Sequence, residues 1–270
     1  MSGRLSVPKR KAGAVARHEC INTVYSRLPV AVRKVIHRTR LRVRAGQLTA
    51  EDWASRPALD AECYWQSTGQ PHRRILLDQL RSFGSPRSLL ELGSHSGPNL
   101  RLAAREFPEA RVGGIEINGA VVGRARQLLC DDGLGRVELT VGSMVDLLPG
   151  LADDSEDLVF SCFALAYLPP SQLVGVLRHS LRVARLGLVL VEPQAREGRR
   201  GGLMDETAGW RHDYAAGLRS LGVDAQAMRM IDLPGAPAYL NGCLVADLRP
   251  PVVRSGAATL YGEANGVRPD

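Results

Sequence analysis

A glycine-bearing loop and two acidic residues have the types and spacing that could do chemistry in this chain. The stretch SLLELGSHSGPNLRL (88–102) places Glu91 two residues before Gly93, and GIEIN places Glu116 19 residues after Gly97. A carboxylate at the end of a strand can accept hydrogen bonds from both hydroxyls of a ribose, and Glu116 is predicted to do so. Glu91 is predicted to face a cationic group of the ligand, directly or through water.

The loop between these acids does not fit a phosphate-binding motif. A dinucleotide fingerprint needs glycine at three positions, where this chain has Gly93, His95 and Pro98. Pro98 also removes a backbone N–H from the helix start at which a pyrophosphate would bind. The Gly-Lys-Ser/Thr of a phosphate loop is absent as well. A ligand with a ribose, a cationic tail and no phosphate fits these residues, and S-adenosylmethionine is such a ligand.

The elements that must position these residues alternate along the chain. Helical periodicity and short apolar runs predict helices over 73–83, 99–108, 120–133 and 170–184, and strands over 88–93, 111–117, 136–142, 156–164 and 186–193. Strands that alternate with helices predict a parallel sheet with helices on both faces.

The C-terminal part of the pattern is different. A helix is predicted around WRHDYAAGLRSLG (210–222), after a loop over 197–209 that is rich in glycine and arginine. Two strands, 224–233 and 239–248, follow with a few residues between them. So short a connection cannot hold a crossover helix, so these strands are predicted to pair antiparallel.

Five segments carry a resemblance to a known family: LLELGSHSGPNL, GIEIN, VGSMVDL, DLVFSCFALAYLPP and LVLVEP. In this order they resemble the class I S-adenosylmethionine-dependent methyltransferases, over about residues 62–248. The resemblance implies an α/β fold with a Rossmann-like, seven-stranded, mostly parallel sheet whose last strand is antiparallel, with helices on both faces and a basic N-terminal extension. His95 replaces the family's middle glycine, Ser143 stands where an aspartate often reaches the adenine, and Tyr167 begins Tyr-Leu-Pro where many members have His-Ile/Leu-Pro.

The same resemblance implies which residues bind S-adenosylmethionine. The glycine loop would lie beside the methionine part of the cofactor, and the acid after the second strand would bind the ribose. The residues after the third strand would border the adenine, and those after the fourth strand would lie near the methyl group. Carried over, the set is Glu91, Gly93, Ser94, His95, Gly97, Asn99, Glu116, Ile117, Ser143, Met144, Cys162 and Phe163. Cys162 is predicted to be a small apolar filler rather than a nucleophile, and no metal site is predicted.

Catalytic candidates are few, because a sulfonium methyl is already electrophilic and alignment supplies most of the rate. His212 is predicted to act as a base or to orient the acceptor, and Tyr167 is the second candidate base. Glu192 is either a catalytic acid or a cap of the next loop. Trp65 and His72 are predicted either to close over the cofactor or simply to pack.

Charge and length bound the organisation of the chain. With 270 residues, the chain can bury one principal core, and its net charge is +7. Residues 1–44 hold twelve basic residues and one acid, so this segment carries +11 and the rest −4. We predict a basic, partly helical extension over 1–60, a methyltransferase domain over 61–249 and a flexible tail over 250–270.

The basic segment 27–46 has several possible roles. Valine and isoleucine interleave with arginine and lysine there, so it could lie on an anionic membrane or follow a nucleic-acid backbone. It could also be a solvated arm or a helix packed on the domain. Few aromatic residues flank it and the body is acidic, so nucleic-acid binding is not favoured.

The cysteines and the apolar runs indicate the compartment. The five cysteines are odd in number and far apart, so they predict neither a disulfide framework nor a zinc site. No apolar run is long enough for a spanning helix, and no secretory signal is visible. We predict that the protein is cytoplasmic, with possible contact to a membrane. For the arginine-rich start of the sequence, an organellar transit peptide is the alternative.

The function predicted from these observations is S-adenosylmethionine-dependent methyl transfer to a small-molecule, sugar or lipid-linked acceptor, chiefly to oxygen. One alternative is an RNA or protein methyltransferase that docks through the basic arm. The other is a non-catalytic binding module with the same fold. The acceptor itself and the oligomeric state are not encoded in any motif of the sequence.

Overall fold

The computed structural model describes residues 50–58, 60–195, 202–204, 209–237 and 239–249. The helices are α1 Ala50–Ala54, α2 Ala61–Trp65, α3 Pro71–Arg81, α4 Pro98–Glu106, α5 Gly119–Asp131, α6 Met144–Leu147, α7 Pro170–Val183 and α8 Tyr214–Ser220. The strands are β1 Ser88–Leu92, β2 Arg111–Glu116, β3 Glu138–Val141, β4 Glu156–Cys162, β5 Ala184–Glu192, β6 Gly202–Leu203, β7 Trp210–Arg211, β8 Met228–Asp232 and β9 Gly242–Asp247.

Seven of these strands form one sheet in the order β3-β2-β1-β4-β5-β9-β8. The strands β1 to β5 are parallel, whereas β9 runs antiparallel to both β5 and β8. This confirms the predicted mostly parallel sheet and its antiparallel end. The strand order reverses between β1 and β4, and in open α/β sheets that reversal opens a ligand-binding crevice at the carboxyl ends of the strands.

The core lies on both faces of this sheet, as the alternation of side chains along the buried strands requires. In β4, Leu158 and Phe160 pack into the layer that holds α3, α4 and α5. Val159 points the other way, into the layer with α7 and α8, where Leu177 and Tyr214 are fully buried. The central strands are therefore packed on both faces, and the loops of the candidate site leave their ends.

The prediction of one helix over 210–222 was wrong at its start. Trp210–Arg211 form β7, which pairs antiparallel with Gly202–Leu203 in a separate two-stranded sheet. The helix begins at Tyr214 because Asp213 caps it, its Oδ1 accepting a hydrogen bond of 2.8 Å from the backbone N–H of Ala216. Alternation and helical period are indistinguishable over so few residues, which hid this short strand.

Several predictions lie outside the described residues. The basic segment 27–46 and the tail 250–270 are among them, so the predicted three-part division of the chain stays a prediction. In the described ranges, no helix combines the length and the apolar character that crossing a membrane requires.

Candidate active site

The glycine loop between β1 and α4 has a left-handed backbone at three positions. Gly93, His95 and Gly97 have φ of 74°, 48° and 82°. At Gly93 a side chain would not fit, because a Cβ there would lie 2.2 Å from the Cβ of Ala164, in the turn after β4. The backbone N–H groups of Gly93 and Ser94 donate to the carbonyl of Ile115 at 2.8 and 3.1 Å, which ties the loop to β2.

Glu116 lies at the end of β2 and faces this loop. Its carboxylate is buried and accepts two backbone hydrogen bonds of 2.9 Å, one from the N–H of His95 and one from that of Asn118. Two fixed donors set the orientation of the carboxylate, and each oxygen retains a second lone pair. Those lone pairs are free to accept further bonds, as a ribose diol would supply.

Glu91 begins a buried polar chain on the other side of the loop. Its Oε1 accepts a 2.6 Å bond from Asn99 Nδ2, and Asn99 Oδ1 accepts a 2.6 Å bond from Arg73 Nη1. Arg73 continues to Ser67 through a 2.9 Å bond. Sequence reasoning missed Arg73, because nothing in PHRR distinguishes a buried arginine from an exposed one.

The hydrogen-bonded series from Glu91 to Ser67 leaves some of its polar atoms, and one of the neighbouring Ser94, without partners among the described residues. Glu91 Oε2, Arg73 Nε and Ser94 Oγ are buried without a hydrogen-bond partner in the described part of the chain. Burial raises the pKa of Glu91 to about 8, against the opposing effects of Asn99 and Arg73. Orphaned buried groups are rare in native proteins and usually mark a ligand or water position. An orphaned acceptor and an orphaned donor that are connected through Asn99 fit a group that carries both an ammonium and a carboxylate, as the amino-acid end of S-adenosylmethionine does.

The residues that follow β3 and β2 complete the carboxyl-end edge of the sheet beside the glycine loop. Ser143 caps α6, with its Oγ accepting a 3.1 Å bond from the N–H of Val145, and Met144 reaches toward Gly93. Ser143 therefore contributes a neutral hydroxyl that is already bonded to the backbone. Ile117 is half-buried directly after Glu116.

Asn118 is a second residue that sequence reasoning missed. Its Oδ1 caps α5 by accepting bonds of 3.0 and 3.1 Å from Ala120 and Val121. Its Nδ2 donates to the backbone carbonyls of Trp53 and Arg56 at 3.0 and 2.8 Å. An asparagine before a helix is a recognisable cap signal. Its second role, holding Trp53 and Arg56 beside the loop that follows β2, has no local signal.

His95 contacts the helical segment above the loop. Its ring lies 4.4 Å from the ring of Tyr64, centroid to centroid, and its Nε2 is 3.5 Å from Asp60 Oδ1. Burial lowers the pKa of His95, opposed by Asp60 and Glu116, so the imidazole is favoured in its neutral form. The side chain that replaced the family's glycine thus packs against α2.

The turn after β4 carries aromatic residues. Phe163 has φ of 57°, and its ring lies 5.3 Å from Tyr167 and 5.1 Å from Tyr239, centroid to centroid. The ring of Tyr167 also lies 4.4 Å from that of Trp53. Cys162, the last residue of β4, is kept as a neutral thiol because burial raises its pKa to about 12.

Glu192 holds this turn in place, so the loop that it caps is the one after β4 and not, as predicted, the loop that follows β5. Its Oε1 accepts bonds from Ser161 Oγ (2.7 Å) and from the N–H groups of Ala164 (2.9 Å) and Leu165 (3.1 Å). Its Oε2 accepts from the N–H of Ala166 at 3.2 Å. Burial raises its pKa to about 7, while these bonds act in the opposite direction. Glu192 therefore caps the turn.

The two predicted bases differ in surroundings. His212 is buried, and its Nε2 lies 3.1 Å from the carbonyl oxygen of Leu168. A carbonyl can only accept, so Nε2 carries the proton and burial lowers the pKa of the ring. Tyr167 is half-buried, and burial raises its pKa. A role as base stays a prediction for both.

Of the two residues predicted to close over the cofactor or to pack, Trp65 packs. It belongs to the core, and the Arg101 guanidinium lies 4.6 Å above its ring. His72 is buried beside Arg73, and burial lowers its pKa to about 4. Across the described ranges, no group of three or more His, Cys, Asp or Glu side chains is arranged to hold a metal ion.

Comparisons with known proteins find one matching family and several similar folds. Residues 89–187 match a family described as a methyltransferase domain. Among solved structures, the chain is similar to an O-methyltransferase family protein from Burkholderia thailandensis, with a TM-score of 0.58 and 16% identity over 80% of this chain and 70% of that one. It is also similar to the S-adenosylmethionine-dependent methyltransferase SibL, with a TM-score of 0.56 and 18% identity over 81% and 70%.

A third similar structure is a protein from Nostoc punctiforme, with a TM-score of 0.56 and 16% identity. The similarity covers 70% of this chain but 59% of the Nostoc protein. At these identities the likeness is one of fold. No curated protein matches the chain.

Proposed function

We propose that the chain, whose residues 89–187 match a methyltransferase domain family, is an S-adenosylmethionine-dependent methyltransferase that transfers a methyl group in line to an oxygen atom of a small-molecule acceptor. The observation that carries the proposal is the pair of anchored carboxyl groups, Glu116 and Glu91, which lie on the adjacent strands β2 and β1 beside a glycine loop with no phosphate-binding features. The O-methyltransferase family protein from Burkholderia thailandensis, similar in fold, supports oxygen as the acceptor atom.

The cofactor would be held by groups that already have fixed positions. Glu116 would accept from the ribose hydroxyls, Glu91 Oε2 from the ammonium, and Arg73 would donate to the carboxylate. Ser143 and Met144 would border the adenine. When bound, the sulfonium supplies an electrophilic methyl carbon, so that an acceptor lone pair forms the C–O bond while the C–S bond breaks, its electron pair stays on sulfur and the hydroxyl proton leaves to solvent.

The chain's own contribution is binding, orientation and exclusion of water. Glu192 fixes the turn after β4 and thereby the half-buried rings of Phe163 and Tyr167. Burial favours the neutral forms of Cys162 and Tyr167 beside that turn. A water-poor, uncharged surface favours a reaction in which a cation and a nucleophile neutralise each other.

The proposal is tested by calorimetric titration of the full-length protein with S-adenosylmethionine, S-adenosylhomocysteine and NAD+. We expect both adenosyl compounds to bind and NAD+ not to bind. Glu116→Gln should weaken binding by about tenfold or more, because a carboxylate hydrogen bond to a ligand is worth about 1.5–3 kcal/mol. The matched control is Glu109→Gln, an exposed glutamate on the loop before β2. Binding of NAD+ instead of the adenosyl compounds would refute the proposal.

A further inference from the structure

We propose that four aromatic residues, Trp53, Phe163, Tyr167 and Tyr239, form the acceptor site, and that the acceptor is a planar aromatic compound with a hydroxyl on its ring. We call these residues the aromatic surface. The inference rests on the proposed function, which it extends by naming the acceptor class.

The rings of the aromatic surface come from three separate parts of the chain. Trp53 belongs to α1, Phe163 and Tyr167 to the turn after β4, and Tyr239 to the loop before β9. Successive centroids lie 4.4, 5.3 and 5.1 Å apart along the series Trp53, Tyr167, Phe163 and Tyr239. Aromatic residues make up 5% of the chain, so their convergence at one edge of the sheet is a feature of the site rather than of the composition.

The aromatic surface lies at the margin of the core, because Phe163 and Tyr239 pack against core residues and yet stay partly exposed. Phe160 and Tyr214 are fully buried, whereas all four rings of the surface are half-buried. Another aromatic ring can cover the exposed part of such rings at offset or edge-to-face geometry. A planar aromatic ligand would bury them more completely than a puckered sugar would.

The aromatic surface begins next to the predicted cofactor loop. Phe163 precedes Ala164, and Ala164 packs so closely on Gly93 that no Cβ is tolerated there. A molecule that lies on Phe163 and Tyr167 is therefore adjacent to the loop that would carry the methyl donor. This adjacency is what separates an acceptor site from an incidental group of rings.

The polar atoms of this region favour a neutral acceptor with a weakly acidic hydroxyl. Burial raises the pKa of Tyr167, which disfavours charge there. Trp53 Nε1 is a buried donor with no partner among the described residues, and a ring substituent oxygen could accept from it. An aromatic hydroxyl ionises near pH 10, as tyrosine does, and far more readily than an aliphatic one, so it needs less help from a base.

The first test compares two ligands with the same carbon skeleton, 2-naphthol and decahydro-2-naphthol. Each is titrated calorimetrically into the full-length protein saturated with S-adenosylhomocysteine. We expect the planar compound to bind about tenfold tighter, because aromatic pairing adds to burial of apolar area. Equal or tighter binding of the saturated compound, or of methyl glucoside, would overturn the inference.

The second test uses matched variants in the same titration. Phe163→Leu and Tyr167→Leu should each weaken 2-naphthol binding about fivefold to tenfold, while Tyr167→Phe should stay within about twofold. Phe107→Leu is the matched control, since Phe107 is also half-buried but lies at the far end of α4. Leucine is no better suited than phenylalanine to φ of 57°, so the exchange at position 163 isolates the ring. An equal effect of Phe107→Leu would show that the losses are not specific to the surface.

The outcomes separate this inference from the proposed function. If S-adenosylhomocysteine binds and 2-naphthol is not preferred, the aromatic acceptor is wrong and the methyltransferase proposal stands. If neither S-adenosylmethionine nor S-adenosylhomocysteine binds, both proposals fail.

Discussion

The carboxylate of Glu116 accepts a 2.9 Å hydrogen bond from the backbone N–H of His95, the residue that stands where the methyltransferases that the loop resembles have their middle glycine. A histidine at this position therefore leaves intact the backbone donor that anchors Glu116. What it adds is an imidazole packed 4.4 Å from Tyr64, at the cost of a positive φ of 48°. The loop keeps its geometry because the main chain, and not the side chain at 95, makes the contact.

His95→Gly should accordingly have little effect on cofactor binding. Glycine adopts positive φ freely, so the variant is relieved of about 1 kcal/mol of backbone strain. This gain offsets part of two losses, which are the ring contact in the folded state and the greater conformational entropy of the unfolded chain. We expect the affinity for S-adenosylhomocysteine, measured by calorimetry, to change by less than about threefold. A tenfold loss would mean that the imidazole itself touches the cofactor.

Asn118→Asp should release residues 50–56 without unfolding α5. Aspartate retains the oxygen that caps the helix but lacks the N–H groups that bond Trp53 and Arg56. Amide hydrogen exchange over 50–56 should therefore become faster, while the melting temperature falls by no more than about 4 °C. Asn118→Ala, which also removes the cap, should lower it further. An unchanged rate of amide exchange over 50–56 in the aspartate variant would show that the Asn118 side chain does not hold this segment.

Glu192→Gln should destabilise the protein. The amide presents an NH2 group where the carboxylate accepted from backbone N–H groups, so at least one buried donor at Ala164, Leu165 or Ala166 loses its acceptor. We expect a loss of about 1–3 kcal/mol in the free energy of unfolding, measured with urea. Glu109→Gln should change it by less than about 0.5 kcal/mol. Equal stability of the two variants would argue against the capping role.

Cofactor binding should release a proton from Glu91. Its pKa of about 8 keeps it mostly protonated near neutral pH, and an ammonium beside Oε2 favours the charged form. Titration with S-adenosylhomocysteine near pH 7 in buffers of different ionisation enthalpy should show up to one proton released, and none in Glu91→Gln. If the heat of binding to the wild type is the same in all buffers, no proton is released and the prediction is wrong.

The same carboxyl sets a pH dependence of stability in the ligand-free protein. Its folded pKa of about 8 lies above the unfolded value of about 4.3, so the native state binds the proton more tightly. The contribution is fully present below about pH 4 and is lost as pH rises toward about pH 8. Urea unfolding of wild type minus Glu91→Gln should show this decline. A difference that grows with pH would have the wrong sign.

His212 should prove to be a structural residue rather than the base. Its Nε2 hydrogen bond to the Leu168 carbonyl occupies one ring nitrogen in a buried setting. We expect His212→Asn to lower the melting temperature while the rate constant for methyl transfer to 2-naphthol falls less than about tenfold. A fall of about 100-fold or more at unchanged KM, as loss of a general base produces, would assign the base to His212 instead.

Local patterns in the sequence determined most of the sheet. The period of apolar residues, the glycines and the prolines each act over a few residues, and they predicted β1 to β5, their helices and the antiparallel pair of β8 and β9. The same local reasoning located the loop at Gly93 and the acids Glu91 and Glu116. It missed the short strand β7, because two residues carry no period.

Tertiary structure alone decided the partnerships that make the site. Arg73 bonds Asn99 26 residues away, Glu192 bonds Ala164 28 residues away, and Asn118 bonds the carbonyl of Trp53 65 residues away. The aromatic surface likewise joins Trp53 to Tyr167. Hydrophobic period records which face of an element is buried, but it does not record which distant side chain meets it. That choice follows from how the helices and loops pack across the sheet, because a buried polar group or ring is satisfied by whatever neighbour the fold brings within reach.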